Sequence, residues 1–396
     1  MSHFSFLCRT KTSFGKNALE HLPFDLYAMG RSKPMVIQDK SCHEAGMTKP
    51  LISAFKTSGM TLGICPPLPE TDGDEPARII RSMYETYMEK GYDALIALGG
   101  EQAADTAKAL NIAVTLGPEA LQQDGVVAPL FPMVYLPTGV KTGTATGGRA
   151  QFNGQTFVSD FLAPDQVVAD PSLFIADDRE TLLDAALTCL AMGCEVFGLS
   201  ENPPARAYAA AIIQLAVHPL KALMDSGLDP RENLKQRKKE EKIWQKDLVQ
   251  AAVMTGYLSS FPLLTRVLGL KLTADIRFHQ GQAMVMVLPY ILESIESKDV
   301  GSLLLPLAGP DVFSQVPAPQ RPDSAVQILR SLVNELHLLS GGRLPRTLEE
   351  AGWNEAALSA IGQGLIKSGS LPAGTVPQAI EALLTRACSG RPAIRS

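Results

Sequence analysis

One run constrains this chain more than any other: Ala94-Leu-Ile-Ala-Leu-Gly99-Gly100-Glu101-Gln102-Ala103-Ala104-Asp105-Thr106-Ala107-Lys108. Apolar residues that read as a buried strand pass into two glycines and then directly into helix-forming residues. A turn that tight requires glycine, and it leaves backbone N–H groups and a helix N-terminus facing an anion such as a pyrophosphate. Tight turns use the same glycines with no ligand at all, so the turn alone leaves both readings open.

From about residue 14 to 176 the chain keeps alternating in this way. Pro34–Gln38, Thr61–Ile64, Ala94–Leu98 and Pro132–Leu136 read as strands, with helices near Lys49–Gly59 and over Glu75–Lys90. Strands alternating with helices imply βαβ units, a parallel sheet, and ligands at the carboxyl ends of the strands. After Asp178 the strand signals stop. Thr181–Phe197, Ala205–Ser226, Trp244–Leu268, Gln282–Lys298, Ser324–Leu339, Asn354–Ser368 and Val376–Cys388 read as helices, and the proline-rich stretches Leu305–Pro322 and Leu344–Pro345 read as connectors. The expected organisation is an α/β domain over residues 1–178 and an all-helical domain over 179–396. A cleft between the two is the default place for a small-molecule substrate.

Composition narrows the function classes. The 396 residues carry a net charge of −5, which leaves no basic excess to neutralise nucleic-acid phosphates. The basic run Lys235–Lys242 is interleaved with acids and suits a solvated helix. No uninterrupted apolar run reaches the roughly 18 to 20 residues of a membrane span; the longest candidate, Ala283–Leu292, reads as a buried helix. Met1-Ser2-His3-Phe4 has no signal-peptide pattern. The six cysteines are scattered without a C-x-x-C, as expected of reduced thiols in a cytoplasmic protein. No nucleic-acid or membrane partner is expected, and a homodimer is left open.

Taken with further landmarks, the glycine turn resembles the strand–GGGS-x-x-D-x-A-K–helix motif of the iron-dependent alcohol dehydrogenases. Phe14-Gly15-Lys16-Asn17-Ala18 is similar to that family's opening glycine motif, and Pro137-Thr138-Gly139-Val140-Lys141-Thr142-Gly143-Thr144 to its PTTAGTGS loop. Pro164 through Asp170-Pro171-Ser172-Leu173, Asp229-Pro-Arg-Glu232 and Gly341-Gly-Arg-Leu-Pro345 follow in the family's order. The resemblance implies a Rossmann-like α/β domain joined to a helical domain, the dehydroquinate synthase-like architecture. It also implies NAD as cofactor, because Asp39 at the end of the second strand would accept from a ribose 2′-hydroxyl and repel a 2′-phosphate. Gly99, Gly100 and Asp105 would shape the pyrophosphate turn, with Thr138, Thr142 and Thr144 over the cofactor. Glu101 and Gln102 replace the family's third glycine and its serine. A carboxylate at a helix N-terminus is favoured there, so Glu101 would either occupy the anion site or point outward.

The family's metal is held by one Asp and three His of the helical domain. Counting from Asp170-Pro171 and anchoring on Glu195, those positions are Thr188, Met192, Arg266 and Gln280. Such a cation wants carboxylate and imidazole donors, and a guanidinium would repel it, so no metal is expected. Arg266 could instead stabilise developing alkoxide charge, with Thr188, Gln280 and His279 donating hydrogen bonds or a proton; the alternative is that Arg266 pairs with an acid and plugs the site. His218 and His337 read as structural.

The expectation is an NAD-linked oxidoreductase interconverting a small alcohol and its aldehyde or ketone without the usual metal. Two alternatives stand beside it: a catalytically silent family member acting as a binding or assembly partner, and an enzyme that redeploys Lys141, Glu101 and Arg266 for other chemistry.

Overall fold

A computed structural model of the chain describes residues 4–69, 75–122, 126–142, 145–225, 234–258, 261–273, 278–294, 299–369, 371 and 377–392. The chain divides into two compact units, one of Leu7–Asp177 with Ala252–Ser260, the other of Met1–Phe6, Asp178–Ala251 and Phe261–Ser396.

The first unit runs β1 (Lys11–Phe14), α1 (Leu22–Ala28), β2 (Pro34–Gln38), α2 (Lys40–Glu44), α3 (Thr48–Phe55), β3 (Gly63–Ile64), α4 (Glu75–Lys90), β4 (Ala94–Gly99), α5 (Glu101–Leu116), β5 (Met133–Pro137), β6 (Arg149–Phe152), β7 (Gln155–Val158) and β8 (Gln166–Ala169). Among the described residues its main sheet has the order β1-β8-β5-β4-β2-β3, parallel at every pairing. β2, β4, β5 and β8 are buried along their whole length, which is why they read as continuous apolar runs. On one face Val36, Ile96, Leu98, Val134 and Leu136 pack with Leu22, Leu26, Leu51 and Phe55 of α1 and α3.

From β2 the chain moves outward to β3, then returns to the other side of β2 as β4 and continues to β5. The carboxyl ends of β2 and β4 are therefore the topological switch point, where an open parallel sheet receives a ligand. Asp39 follows one of these strands and Gly100 the other.

Sequence reading missed β1, an edge strand with only partly buried residues, and the β6–β7 hairpin. The hairpin turns on Asn153 (φ 49°) and Gly154 (φ 75°), the Asn-Gly pair that a two-residue hairpin turn favours.

The second unit is helical: α6 (Arg179–Leu199), α7 (Pro203–Asp225), α8 (Leu234–Gly256, whose last residues belong to the first unit), α9 (Leu264–Thr273), α10 (Gln280–Ser294), α11 (Leu304–Ala308), α12 (Pro310–Gln315), α13 (Arg321–Leu339), α14 (Glu355–Lys367) and α15 (Pro377–Ser389). α6 and α10 are its core and pack on each other. Asp178 caps α6, its carboxylate accepting from Thr181 N–H at 2.7 Å.

Two expectations are corrected here. Trp244–Leu268 is not one helix: α8 ends at Gly256 and α9 starts at Leu264, because Pro262 cannot continue a helix and keeps the residue before it out of the helical region. Leu305–Pro322 is not a plain connector either, since Pro310 and Pro322 stand in the first turns of α12 and α13, where a missing N–H costs nothing. α6 and Pro203–Met224 are also long and apolar enough to cross a membrane by composition, although neither is an uninterrupted apolar run. Within those windows 67% and 44% of residues are buried inside the protein, so α6 is mostly a core helix. Cys8 is exposed and the other five cysteines are buried, all of them as free thiols.

Candidate functional site

At the switch point Asp39 takes the N-cap position of α2 (φ −69°, ψ 154°), yet its side chain makes no bond to that helix. Its Oδ2 instead accepts from Gly100 N–H at 2.6 Å, 61 residues further along the chain, and Ala103 N–H donates to the same carboxylate. Gly99 (φ +148°) makes room for this contact, since a Cβ there would stand 2.2 Å from Asp39 Oδ2. A Cβ at Gly100 would stand 3.1 Å from the Lys141 carbonyl oxygen, so the segment after β5 packs directly on the turn. Burial pushes the Asp39 carboxyl above its ordinary value, and the bonds from Gly100 and Ala103 only partly oppose this.

The expected site residues of this unit gather around the turn to different degrees. Thr138 is buried, with Oγ1 3.4 Å from Cys42 Sγ. Thr142 is fully buried, and among the described residues its Oγ1 has no hydrogen-bond partner; nor has Asp39 Oδ1. Asp105 is half-buried on α5, one turn in from Glu101. Thr144 lies outside the described residues. Glu101 is exposed, as is Gln102, whose Nε2 donates to the Pro69 carbonyl at 3.0 Å. The carboxylate that accepts from Gly100 N–H at the head of α5 is that of Asp39.

Three supports were not singled out from sequence. The Tyr135 hydroxyl, fully buried, donates to the Gly99 carbonyl at 3.0 Å. Lys108, also fully buried, donates to the carbonyls of Gly147 at 2.8 Å and Arg149 at 2.6 Å, which fastens the threonine-rich loop to α5. Burial lowers its ammonium from 10.5 to about 8, with Asp105 and Glu101 acting against that shift. Asp177 accepts from Val140 N–H at 2.9 Å. The family-like motif holds Gly99 and Lys108, while Tyr135 stands on β5, and which carbonyl each side chain reaches depends on chain returning from elsewhere.

In the helical unit Thr188, half-buried on α6, faces the start of α10. A Cβ at Gly281 would stand 2.7 Å from Thr188 Oγ1 and 2.4 Å from the Asp184 carbonyl oxygen, so the two helices touch at that glycine. Gly281 N–H donates to Asp184 Oδ1 at 2.7 Å, which fixes the first turn of α10 and with it Gln280. Gln280 in turn lies against α9, its Cγ 3.4 Å from where a Cβ of Gly269 would be. Arg266 is half-buried near the start of α9. That start is held by Glu195 of α6, whose carboxylate accepts from Leu264 N–H at 2.6 Å, from Thr265 N–H at 2.9 Å and from Thr265 Oγ1 at 2.5 Å. Thr188, Gln280 and α9 are thereby brought together. His279 is directed to the surface, where its Nε2 meets Glu180 Oε1 at 2.9 Å. His337 is structural, with Nδ1 2.8 Å from the Leu344 carbonyl oxygen.

The metal that the family resemblance implies does not fit this donor set. Met192 is buried among apolar residues, and Arg266 carries a fixed positive charge. No group of three or more His, Cys, Asp or Glu side chains suited to a metal occurs among the described residues. Burial pushes the nearby Cys189 thiol up to about 12 and raises Cys194 as well, so both are neutral thiols in the fold.

Residues 9–171 match the sequence model of the family described as iron-containing alcohol dehydrogenase. Choline dehydrogenase of Bacillus subtilis (strain 168) is 24% identical over 239 residues, which cover 57% of this chain and 58% of that protein. NAD-dependent methanol dehydrogenase of Bacillus methanolicus is 20% identical over 235 residues, covering 57% of this chain and 61% of that one. The chain thus matches less than two thirds of either relative's length. Among solved structures, the iron-containing alcohol dehydrogenase of Thermococcus thioreducens superposes with a TM-score of 0.74 at 20% identity, over 98% of this chain and 100% of that one. Sulfoacetaldehyde reductase of Bifidobacterium kashiwanohense in complex with NAD+ gives 0.71 at 15% identity, also over 98% and 100%. At these identities the superpositions establish the fold.

Proposed function

We infer that this chain, whose residues 9–171 match the iron-containing alcohol dehydrogenase model, is an NAD-linked oxidoreductase that interconverts a small alcohol and its aldehyde or ketone without the family's metal. The observation that carries the cofactor half is the Gly99–Gly100 turn at the switch point, with two buried polar atoms beside it, Asp39 Oδ1 and Thr142 Oγ1, left for a ligand to satisfy. When bound, the nicotinamide would accept or return a hydride. Gly99, Gly100, Asp105, Thr138, Thr142 and Thr144 would hold the dinucleotide. The relative from Bacillus methanolicus and the NAD+ complex from Bifidobacterium kashiwanohense support this choice of cofactor.

The metal-free half rests on the donor set. Arg266 would supply a fixed positive charge toward the developing alkoxide, with Thr188 and Gln280 donating hydrogen bonds. A proton-donating role for His279 would require that it leave Glu180. The small-molecule substrate and a cytoplasmic setting belong to the same reading.

Calorimetric titration of the purified chain with NAD and NADH, alongside elemental analysis, tests it. Binding of NADH by protein free of metal is the expected result. If neither nucleotide binds, the dehydrogenase reading fails and a silent binding partner takes its place.

A further inference from the structure

We propose that the Asp39 carboxylate is a built-in occupant of the phosphate-binding turn, which a diphosphate-bearing ligand must displace before it can bind. The inference rests on the dinucleotide reading above and adds a gate to it.

Asp39 gives up its local role to reach this place. An aspartate at a helix N-cap ordinarily accepts from the N–H groups of its own first turn. At α2 it accepts none of them and crosses to Gly100 instead. There it meets Gly100 N–H and Ala103 N–H at the head of α5, a helix of 16 residues. These are donors that a phosphate at such a turn would use, and the positive end of the helix favours either anion equally.

The space is also taken. A Cβ on Gly99 would stand 2.2 Å from Oδ2 and 2.6 Å from Cγ of Asp39, so the room left by this glycine is filled by the carboxylate. A phosphate oxygen and Asp39 Oδ2 cannot both receive the Gly100 N–H at hydrogen-bond distance in that volume.

The occupant is only partly satisfied. Its second oxygen has no partner, and Thr142, fully buried in the segment that packs on Gly100, also leaves a hydroxyl unpartnered among the described residues. An incoming ligand would therefore find a polar group that Asp39 does not satisfy. Cys42 and Tyr135 are titratable groups close enough to feel the carboxylate, and its charge acts to raise both. Burial pushes its carboxyl above the ordinary value against the two N–H bonds, so the site disfavours the charge that it holds.

The same side chain thus meets two demands that exclude each other. In the turn it blocks the diphosphate; swung out, it is free to accept from a ribose hydroxyl. Inorganic pyrophosphate, which has no ribose, separates the two. Calorimetric titration of full-length wild type, D39N and D39A with pyrophosphate should show binding about tenfold tighter in both variants, because the competent state no longer has to be won from the carboxylate. Unchanged or weaker pyrophosphate binding in both folded variants would overturn the proposal. D39N keeps the side-chain shape, which covers the case in which D39A does not fold. Should neither fold, the Gly100 amide resonance of wild type should move on pyrophosphate addition, and a stationary resonance counts against the proposal. If wild type binds no NAD while the variants gain pyrophosphate affinity, the dinucleotide reading fails and the gate stands.

Discussion

Glu195 and Thr265 are joined twice: one carboxylate oxygen accepts from both the backbone N–H, at 2.9 Å, and the hydroxyl, at 2.5 Å, of the same residue. The other oxygen takes Leu264 N–H, so a single buried glutamate satisfies the opening of α9 and sets the residue that follows, Arg266. Glu195→Ala leaves those donors buried without acceptors. It should cost about 2–4 kcal/mol of unfolding free energy, measured by urea denaturation, and Glu195→Gln less. A loss under half a kilocalorie in the alanine variant would mean that α9 does not depend on this contact.

Arg266 separates charge stabilisation from simple filling. If its guanidinium faces the developing alkoxide, Arg266→Ala should lower kcat by about 10²–10³ while the Kd for NADH stays as in wild type. Arg266→Lys should recover part of the rate. An alanine variant with normal kcat would leave Arg266 a structural plug.

Gly281 is placed where α6 and α10 touch. Any side chain there must push against the Asp184 main chain at 2.4 Å, which cannot rotate away. Gly281→Ala should lose about 1–3 kcal/mol by overpacking, seen as a lower Tm, and should also disturb turnover through Gln280. An unchanged melting temperature would contradict the described helix contact.

The pH dependence has a definite sign at Lys108. In the unfolded chain a lysine keeps its proton to 10.5, whereas in the fold burial lowers Lys108 to about 8. Between those values the unfolded state binds more protons, so this residue makes stability rise as pH increases through that window. Denaturation midpoints taken from pH 7.5 to 10.5 should carry this upward contribution in wild type relative to Lys108→Met. If the difference between the two proteins is flat across the window, the buried ammonium does not titrate there.

Much of the sheet was legible because its central strands are buried on both faces and bounded by glycine or proline. Pro34–Gln38 and the start of Ala94–Gly99 fall where the apolar runs predict them. β1 escaped because an edge strand with part-exposed residues has neither a continuous nor an alternating pattern. The long helical reading from Trp244 failed at Pro262, where the apolar spacing carries on although the backbone cannot. At the candidate site the glycine turn was plain in the sequence, but its occupant was not. Glu101 is adjacent to the turn and was the natural suspect, whereas Asp39 reaches it only because β2 and β4 are neighbours in the sheet. Lys108 was visible as part of a motif; that it fastens a loop depends on Gly147 and Arg149 returning to α5.

The contact of α6 and α10 at Gly281 bears on how freely the two helices can be redesigned. A side chain on that glycine would run into the Asp184 main chain, so the first turn of α10, Gln280 included, shifts only if α6 gives way with it. An engineer wishing to change the donors carried by the two helices would have to treat the crossing as one unit, choosing the packing before the ligands.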